Sequence, residues 1–347
     1  MSTDPEMRPP ANIPKLFLKP NVDRFRHLAN IFVQALEQGE YKVSGSDSLE
    51  SFSDEERVQV RRLFVDEIGN PKSFTVDQFP SLNWLDIGPS FQGQLIVDAP
   101  QLSFLSCSTD QIDSRHPLFL DKLRILFAKH AQLALPTAVE RVHDLVVQKC
   151  DAQSLQLGAK RLGLESLTVM QCGRLESVSG PTALEGVKRI YASGCKRLDL
   201  GEFPIHLESL DLHDCAPLGS LRDILSLQKL RRLSFSGSTK ILDGDTQSLQ
   251  NQLDRFEYVF IKNSPSYNCR VEGKGVPARA DVKPSFHRTV YSSDDLRKRA
   301  AAIPRVEYRL LRTFGDELGG ILLKHIETAD FEETVLGQSE DRPAIGI

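Results

Sequence analysis

The sequence predicts a solenoid of the α/β repeat class, a stack of chain turns that share one parallel sheet. Three observations predict it. One spacing of apolar residues occurs nine times, successive copies begin 19–26 residues apart, and four copies carry a cysteine at the same place.

The spacing is apolar, two residues, apolar, one residue, apolar. It reads LNWLDI from Leu82, LSFLSC from Leu102, LRILFA from Leu123, VHDLVV from Val142 and LESLTV from Leu164. It continues as VKRIYA from Val187, LESLDL from Leu207, LRRLSF from Leu230 and FEYVFI from Phe256. The last two apolar positions are two apart, which puts both side chains on one face of a short strand. The first turns inward just ahead of that strand. Stacked turns then place like positions over one another and close a core that no single turn could bury.

The cysteines follow from this register. Cys150, Cys172, Cys195 and Cys215 each lie eight residues after the first apolar position of their copy. No cysteine forms a CxxC pair, so neither a zinc ribbon nor a redox motif is indicated. Residues on successive rungs form a column, where a thiol packs as a small hydrophobe and donates weakly to backbone.

The segments LESLTVMQCGRL (Leu164–Leu175) and LESLDLHDCAPL (Leu207–Leu218) resemble the LxxLxLxxCxxL form of the leucine-rich-repeat family. Cysteine stands where asparagine is common. Pro80, Pro100 and Pro204, in FPSLNWL, APQLSFL and FPIHLESL, are similar to the short bacterial repeats that carry a proline before the next strand. The resemblance covers residues 79–264 and extends to bacterial effector-type proteins. It implies about nine repeats, a parallel sheet lining a concave face, and helical caps at both ends. The missing asparagines depart from the pattern. So does the apolar run Leu95–Val97, which is expected to distort the first turn locally.

Around the repeats the expected order is a flexible leader (1–20), an amino-terminal helical cap (21–78), the solenoid (79–264), a linker (265–291), a carboxy-terminal helical region (292–336) and a loose tail (337–347). Phe25, Leu28, Phe32 and Leu36 share one face of a helix over 21–38. A second helix is expected over Asp54–Ile68, with Ser53 and Glu56 spaced as a capping box and Gly69 as its stop. From Lys262 to Tyr291, Lys262, Arg270, Lys274, Arg279, Lys283 and Arg288 against Glu272 and Asp281 leave a charge of +4 among prolines and glycines. The GKG at Gly273–Gly275 is too short for a phosphate loop. Helices resume over Asp294–Ala302 and Arg305–Thr328. The second carries a stripe of Leu311, Phe314, Leu318, Ile321 and Leu322, with Gly319–Gly320 as a point of bending.

Composition narrows the function. With 40% hydrophobic and 26% charged residues in 347, the chain reads as folded. A formal charge of −4 gives no general attraction to nucleic acid or anionic membrane. No apolar run reaches the length of a membrane span, and Met1–Pro14 lacks the apolar stretch of a secretory signal. The expected compartment is the cytoplasm, or a host cell reached by export without a cleaved hydrophobic signal. There is no HExxH, no GxSxG and no glycine-rich phosphate loop, so no catalytic residue, metal or cofactor is indicated. The oligomeric state is not legible.

The expected function is a non-enzymatic scaffold that binds a protein partner on the concave face. The alternative, from the resemblance, is a repeat receptor coupled to a small carboxy-terminal effector or ubiquitin-ligase-like module. Cys269, the cysteine beyond the repeats, is followed by Arg270-Val271 and does not fit the C-x-D motif of the cysteine-dependent ligases. Residues flanking the second and third apolar positions should face the partner. They are Trp84, Phe104, Phe127, Arg189, Tyr191, Asp211, His213, Arg232, Tyr258 and Phe260, with Asp86, Ile125, Asp144, Val146, Thr168 and Met170 completing the surface. Aromatics and arginine are the types that anchor protein interfaces. Tyr191 and Arg189 are the expected anchors.

Overall fold

The computed structural model describes residues 22–44, 49–66, 68, 71–158, 160, 162–275, 293–303 and 305–327. The expected leader, the tail and Phe25's side chain lie outside them. The chain divides into two compact units, one of residues 1–42 with 284–347 and one of residues 43–283. No helix among the described residues is long and apolar enough to cross a membrane.

The larger unit is a parallel β-solenoid of about ten turns. Ten strands of its long sheet lie wholly within it: Arg62–Asp66, Trp84–Ile87, Phe104–Cys107, Leu118–Leu126, Val139–Gln148, Ser166–Met170, Arg189–Ser193, Ser209–His213, Arg232–Ser236 and Tyr258–Ile261. Each pairs in parallel with the next. The pairing sets Leu63, Leu85, Leu105, Leu123, Leu145, Leu167, Ile190, Leu210, Leu233 and Val259 in one column. Every one of them is buried. Burying such a side chain stabilises by about 1.5–3 kcal/mol, and the stack multiplies it rung by rung.

Three expectations are corrected. The helix expected over Asp54–Ile68 ends at Gln59, and the chain then forms the first of these strands. The capping box is present: the Glu56 amide donates to Ser53 Oγ at 3.3 Å, and the Ser53 amide donates to Glu56 Oε2 at 2.8 Å. What ends the helix is the repeat itself. Val60, Leu63 and Val65 carry the same apolar spacing as the nine copies and are fully buried, so tertiary stacking overrides the helical reading.

The run at Leu95–Val97 does not distort a turn. Gln94–Val97 is the middle strand of a second parallel sheet, between Ser73–Val76 and Ile112–Ser114. A third such sheet joins Gln132–Ala134, Ser154–Gln156 and Ser177–Ser179. These turns therefore return through a second short strand, with Leu95 and Val97 pointing inward and buried.

The copy read from Leu123 is three residues out of register. Leu123 and Ile125 pair with Leu145 and Val147, so the repeat begins at Leu120. Both frames satisfy the spacing in LDKLRILFA, and packing decides between them: Leu120, Leu123 and Ile125 are buried, whereas Leu126 is half-buried. Ile125 thus belongs to the core, and Lys122 and Arg124 take the outward places.

After six of the strands the next residue turns left-handed: Phe127, Lys149, Gln171, Gly194, Asp214 and Gly237, with φ between 51° and 69°. The cysteine column follows directly. Cys150 Sγ donates to Gln148 O at 3.4 Å and to Ile125 O, one rung back, at 3.5 Å. Cys172 and Cys195 repeat the pattern. The thiol thus bridges two turns as a weak donor while filling the core.

Beyond the last strand, Val259 and Lys274 exchange backbone hydrogen bonds of 2.9 and 3.0 Å in an antiparallel bridge. The first part of the segment read as a linker therefore covers the open edge of the sheet, which would otherwise offer unpaired groups to another strand.

In the smaller unit, Val22–Glu37 packs with Ser293–Ala301 and Val306–Glu327. Phe32 meets Phe314 edge-on with ring centroids 5.5 Å apart, and Arg299 pairs with Glu37 at 3.0 Å. Leu310, Leu322 and Ile326 are buried there, and Leu311, Phe314 and Leu318 are half-buried. The apolar stripe thus meets the amino-terminal helix.

Candidate binding face of the long sheet

Alternation along a strand sends every second side chain away from the core, and register stacks these into rows. Over the last four rungs the middle row is Tyr191, Asp211, Ser234 and Phe260. On one side runs Arg189, Ser209, Arg232 and Tyr258, and on the other Ser193, His213 and Ser236. Tyr191, Asp211, His213, Ser234, Ser236, Tyr258 and Phe260 line a single open hollow of about 300 Å³.

Several polar groups in and beside it are held. His213 has Nδ1 2.7 Å from Ser236 Oγ and Nε2 3.0 Å from Asp214 Oδ2. Asp214 is fixed in turn by the Ser238 amide, which donates to Oδ1 at 2.7 Å, and that bond is the largest influence holding its carboxyl below the ordinary value. Arg232 lies over the Tyr258 ring, 5.1 Å from its centroid, and Arg189 reaches Asp144 at 3.6 Å. Asp211 differs. Partial burial pushes its carboxyl above the ordinary value, against the Ser234 hydroxyl and the field of His213, which favour the charged form.

The aromatic walls are open. Tyr191 is 37% and Phe260 44% exposed, high for side chains of this size. Two large rings flank small polar residues across a shallow, open hollow. Exposed rings of this kind suit contact with a partner's side chains.

The ten site residues expected from sequence fall into three sets. Tyr191, Asp211, His213, Tyr258 and Phe260 meet in the hollow, with Arg189 and Arg232 in the adjoining row. Trp84 and Phe104 lie on earlier rungs and stack on each other, centroids 3.5 Å apart at 11°, with Arg62 over the indole at 5.5 Å. Phe104 is buried by this. Phe127 is not on the sheet face: it is the left-handed residue after its strand, 38% exposed, with Lys149 Nζ 5.3 Å from the ring centroid.

Ser234 and Ser236 were missed. Their size and neutrality draw no attention, and only the register shows Ser234 in the middle row between Tyr191 and Phe260, with Ser236 in the row beside it. Arg62 and Phe64 were missed with the whole first rung.

Among the described residues, no three His, Cys, Asp or Glu side chains are placed to hold a metal ion. The chain matches no family model, no curated protein and no solved structure in comparisons with known proteins.

Proposed function

We propose that this chain is a scaffold of the leucine-rich-repeat type that binds a protein partner on the outward face of its long sheet. One observation carries the reading: on the last four rungs, exposed aromatics and held polar groups converge in one hollow. Aromatics beside arginine supply large contact area at low entropy cost, which is what anchors an interface. The rigid stack beneath holds them in place without a partner, so little ordering is lost on binding.

The test is affinity capture with the full chain, followed by measurement of Kd for the captured protein with Tyr191→Ala and Phe260→Ala. Loss of affinity in both, with melting temperature retained, supports the reading. Unchanged affinity in both overturns it and moves attention to the helical unit.

The second reading, a repeat receptor carrying a small effector module of the bacterial type, draws on one observation. The helices Ser293–Ala301 and Val306–Glu327 belong to a compact unit separate from the solenoid. Under that reading, substitutions on the exposed side of these helices would abolish a cellular output while leaving partner affinity unchanged. Cytoplasmic residence, in the producing cell or a host, belongs to the same proposal.

A further inference from the structure

The hollow has a chemistry of its own. Its middle row places a carboxylate and a hydroxyl, Asp211 and Ser234, between the rings of Tyr191 and Phe260. Neighbouring rungs lie about 4.8 Å apart, so three steps set these two rings at backbone positions about 14 Å apart, with the acid one step from the tyrosine. The basic groups nearby are engaged elsewhere. Arg189 reaches Asp144, Arg232 lies over Tyr258, and His213 is 3.0 Å from Asp214. Asp211 itself lines the hollow with Ser234 and is partly stripped of water.

We infer that this hollow receives a positively charged side chain presented by the protein partner, with its charge at the Asp211 carboxylate and its flat or methylene surface against Tyr191. The inference rests on the reading of this face as the partner site. Charge complementarity commits it to a cation. A phosphate or carboxylate group would meet Asp211 as a like charge, and a purely apolar side chain would leave that carboxylate desolvated without return. A guanidinium or ammonium gains from both features at once: the neighbouring Tyr191 ring attracts it through its quadrupole, and the carboxylate supplies the opposite charge. The small side chain of Ser234, the register partner of Asp211, leaves room beside the carboxylate.

The experiment uses the full chain and four capped tripeptides, acetyl-Gly-X-Gly-amide with X as arginine, lysine, citrulline or glutamate. Saturation-transfer NMR detects contact, and titration gives the affinities. Citrulline keeps the shape of arginine and removes its charge. The expected result is binding of the arginine or lysine probe about tenfold tighter than citrulline, the scale of one cation–π contact with one partly buried ion pair. Which of the two binds better identifies the partner's residue. Asp211→Asn, nearly isosteric, should remove the preference for charge, and Tyr191→Ala should weaken the cationic probes and citrulline together. Equal binding of arginine and citrulline, tighter binding of glutamate, no saturation of either cationic probe, or a preference that survives Asp211→Asn would each overturn the inference. Its failure is separable from that of the binding face: a captured partner whose affinity falls in Tyr191→Ala but not in Asp211→Asn leaves the face standing and removes only the cation.

Discussion

Tyr191 and Asp211 are register partners on neighbouring rungs, and both side chains line the same hollow. The pairing sets an exposed ring beside an acid whose carboxyl burial pushes above its ordinary value. The folded state therefore holds the Asp211 proton more tightly than the unfolded chain does. The contribution to stability is present below the ordinary carboxylate range and is lost as pH rises through the raised value.

Asp211→Asn, which mimics the neutral form, should accordingly be more stable than the parent at neutral pH. The gap should close as pH falls into the ordinary carboxylate range. Asp211 remains partly open to water, and screening keeps the effect below about 1 kcal/mol. His213 and its partner Asp214 must be left intact, since the field of His213 opposes the shift. Urea titrations at several pH values measure the difference. A variant less stable than the parent at neutral pH would contradict the account of Asp211 as a charge whose desolvation outweighs its stabilising neighbours.

The corrected register at Leu118–Leu126 has its own test. Leu123→Ala should cost about 2–5 kcal/mol, the range for a truncated core leucine. Leu126→Ala, on the half-buried side, should stay within about 1 kcal/mol. Denaturant midpoints of the two variants decide it. The reverse order would restore the frame that begins at Leu123.

These residues also show what sequence can carry. The apolar spacing located nine of the ten strands because a stack repeats its core at one interval, and a core leucine such as Leu167 or Leu210 has no alternative place. It failed at Leu123 because LDKLRILFA holds two frames of the same pattern, and only the neighbours Leu105 and Leu145 choose between them. It was overlooked at Arg62–Asp66, where Val60, Leu63 and Val65 carry the same spacing but a capping box at Ser53 and an acidic first turn announce a helix. The face residues Tyr191, Asp211, His213, Tyr258 and Phe260 were legible one rung at a time. Their meeting in one hollow was not, since it depends on how rungs align and on two serines that carry no signal.

The cysteines should divide by access. Cys107, Cys150, Cys172, Cys195 and Cys215 are buried, and Cys269 is partly exposed. Burial pushes the Cys107 thiol up to about 12. Hydrogen bonding to the neighbouring sulfurs, with burial, also raises Cys172 and Cys215. The same bonds favour ionisation of Cys150 and Cys195, but burial acts against a charge on any of the four. A chromogenic disulfide reagent should therefore release one fast equivalent from native protein, lost in Cys269→Ser, and the rest only in denaturant. Several fast equivalents in Cys269→Ser would place the column at the surface.

Gly237 offers a test of the turns behind the face. Its φ is 66°, and a Cβ there would press into the Asp214 side chain and stand 3.0 Å from the Asp214 amide nitrogen. Asp214 is also the group that holds His213. Gly237→Ala should destabilise by about 1 kcal/mol or more, through left-handed backbone strain and the displaced aspartate. The NMR signals of the His213 ring should move with it at constant pH. An unchanged melting temperature together with an unchanged His213 signal would remove the link between this turn and the hollow.

The sharpest comparison for the binding face is between two equally exposed rings. Tyr191 is 37% and Phe127 38% exposed, so accessibility alone would rank them together. They differ in where the backbone puts them. Tyr191 sits mid-strand in the row with Asp211, Ser234 and Phe260, whereas Phe127 follows its strand in a left-handed turn and carries Lys149 on its ring. If the sheet face receives the partner, Tyr191→Ala and Phe260→Ala should each cost about 1–3 kcal/mol of binding. Phe127→Ala should change it by less than about 0.5 kcal/mol, the scale of a surface substitution away from any interface. Arg232→Ala should fall between, because its guanidinium supports the Tyr258 wall rather than lining the hollow. Titration calorimetry with the captured partner gives all four values, and circular dichroism shows whether each variant is folded. A loss at Phe127 equal to that at Tyr191 would move the contact to the turn-lined edge of the solenoid. A loss at Tyr191 and Phe260 with none at Phe127 would tie binding to the register of the last four rungs.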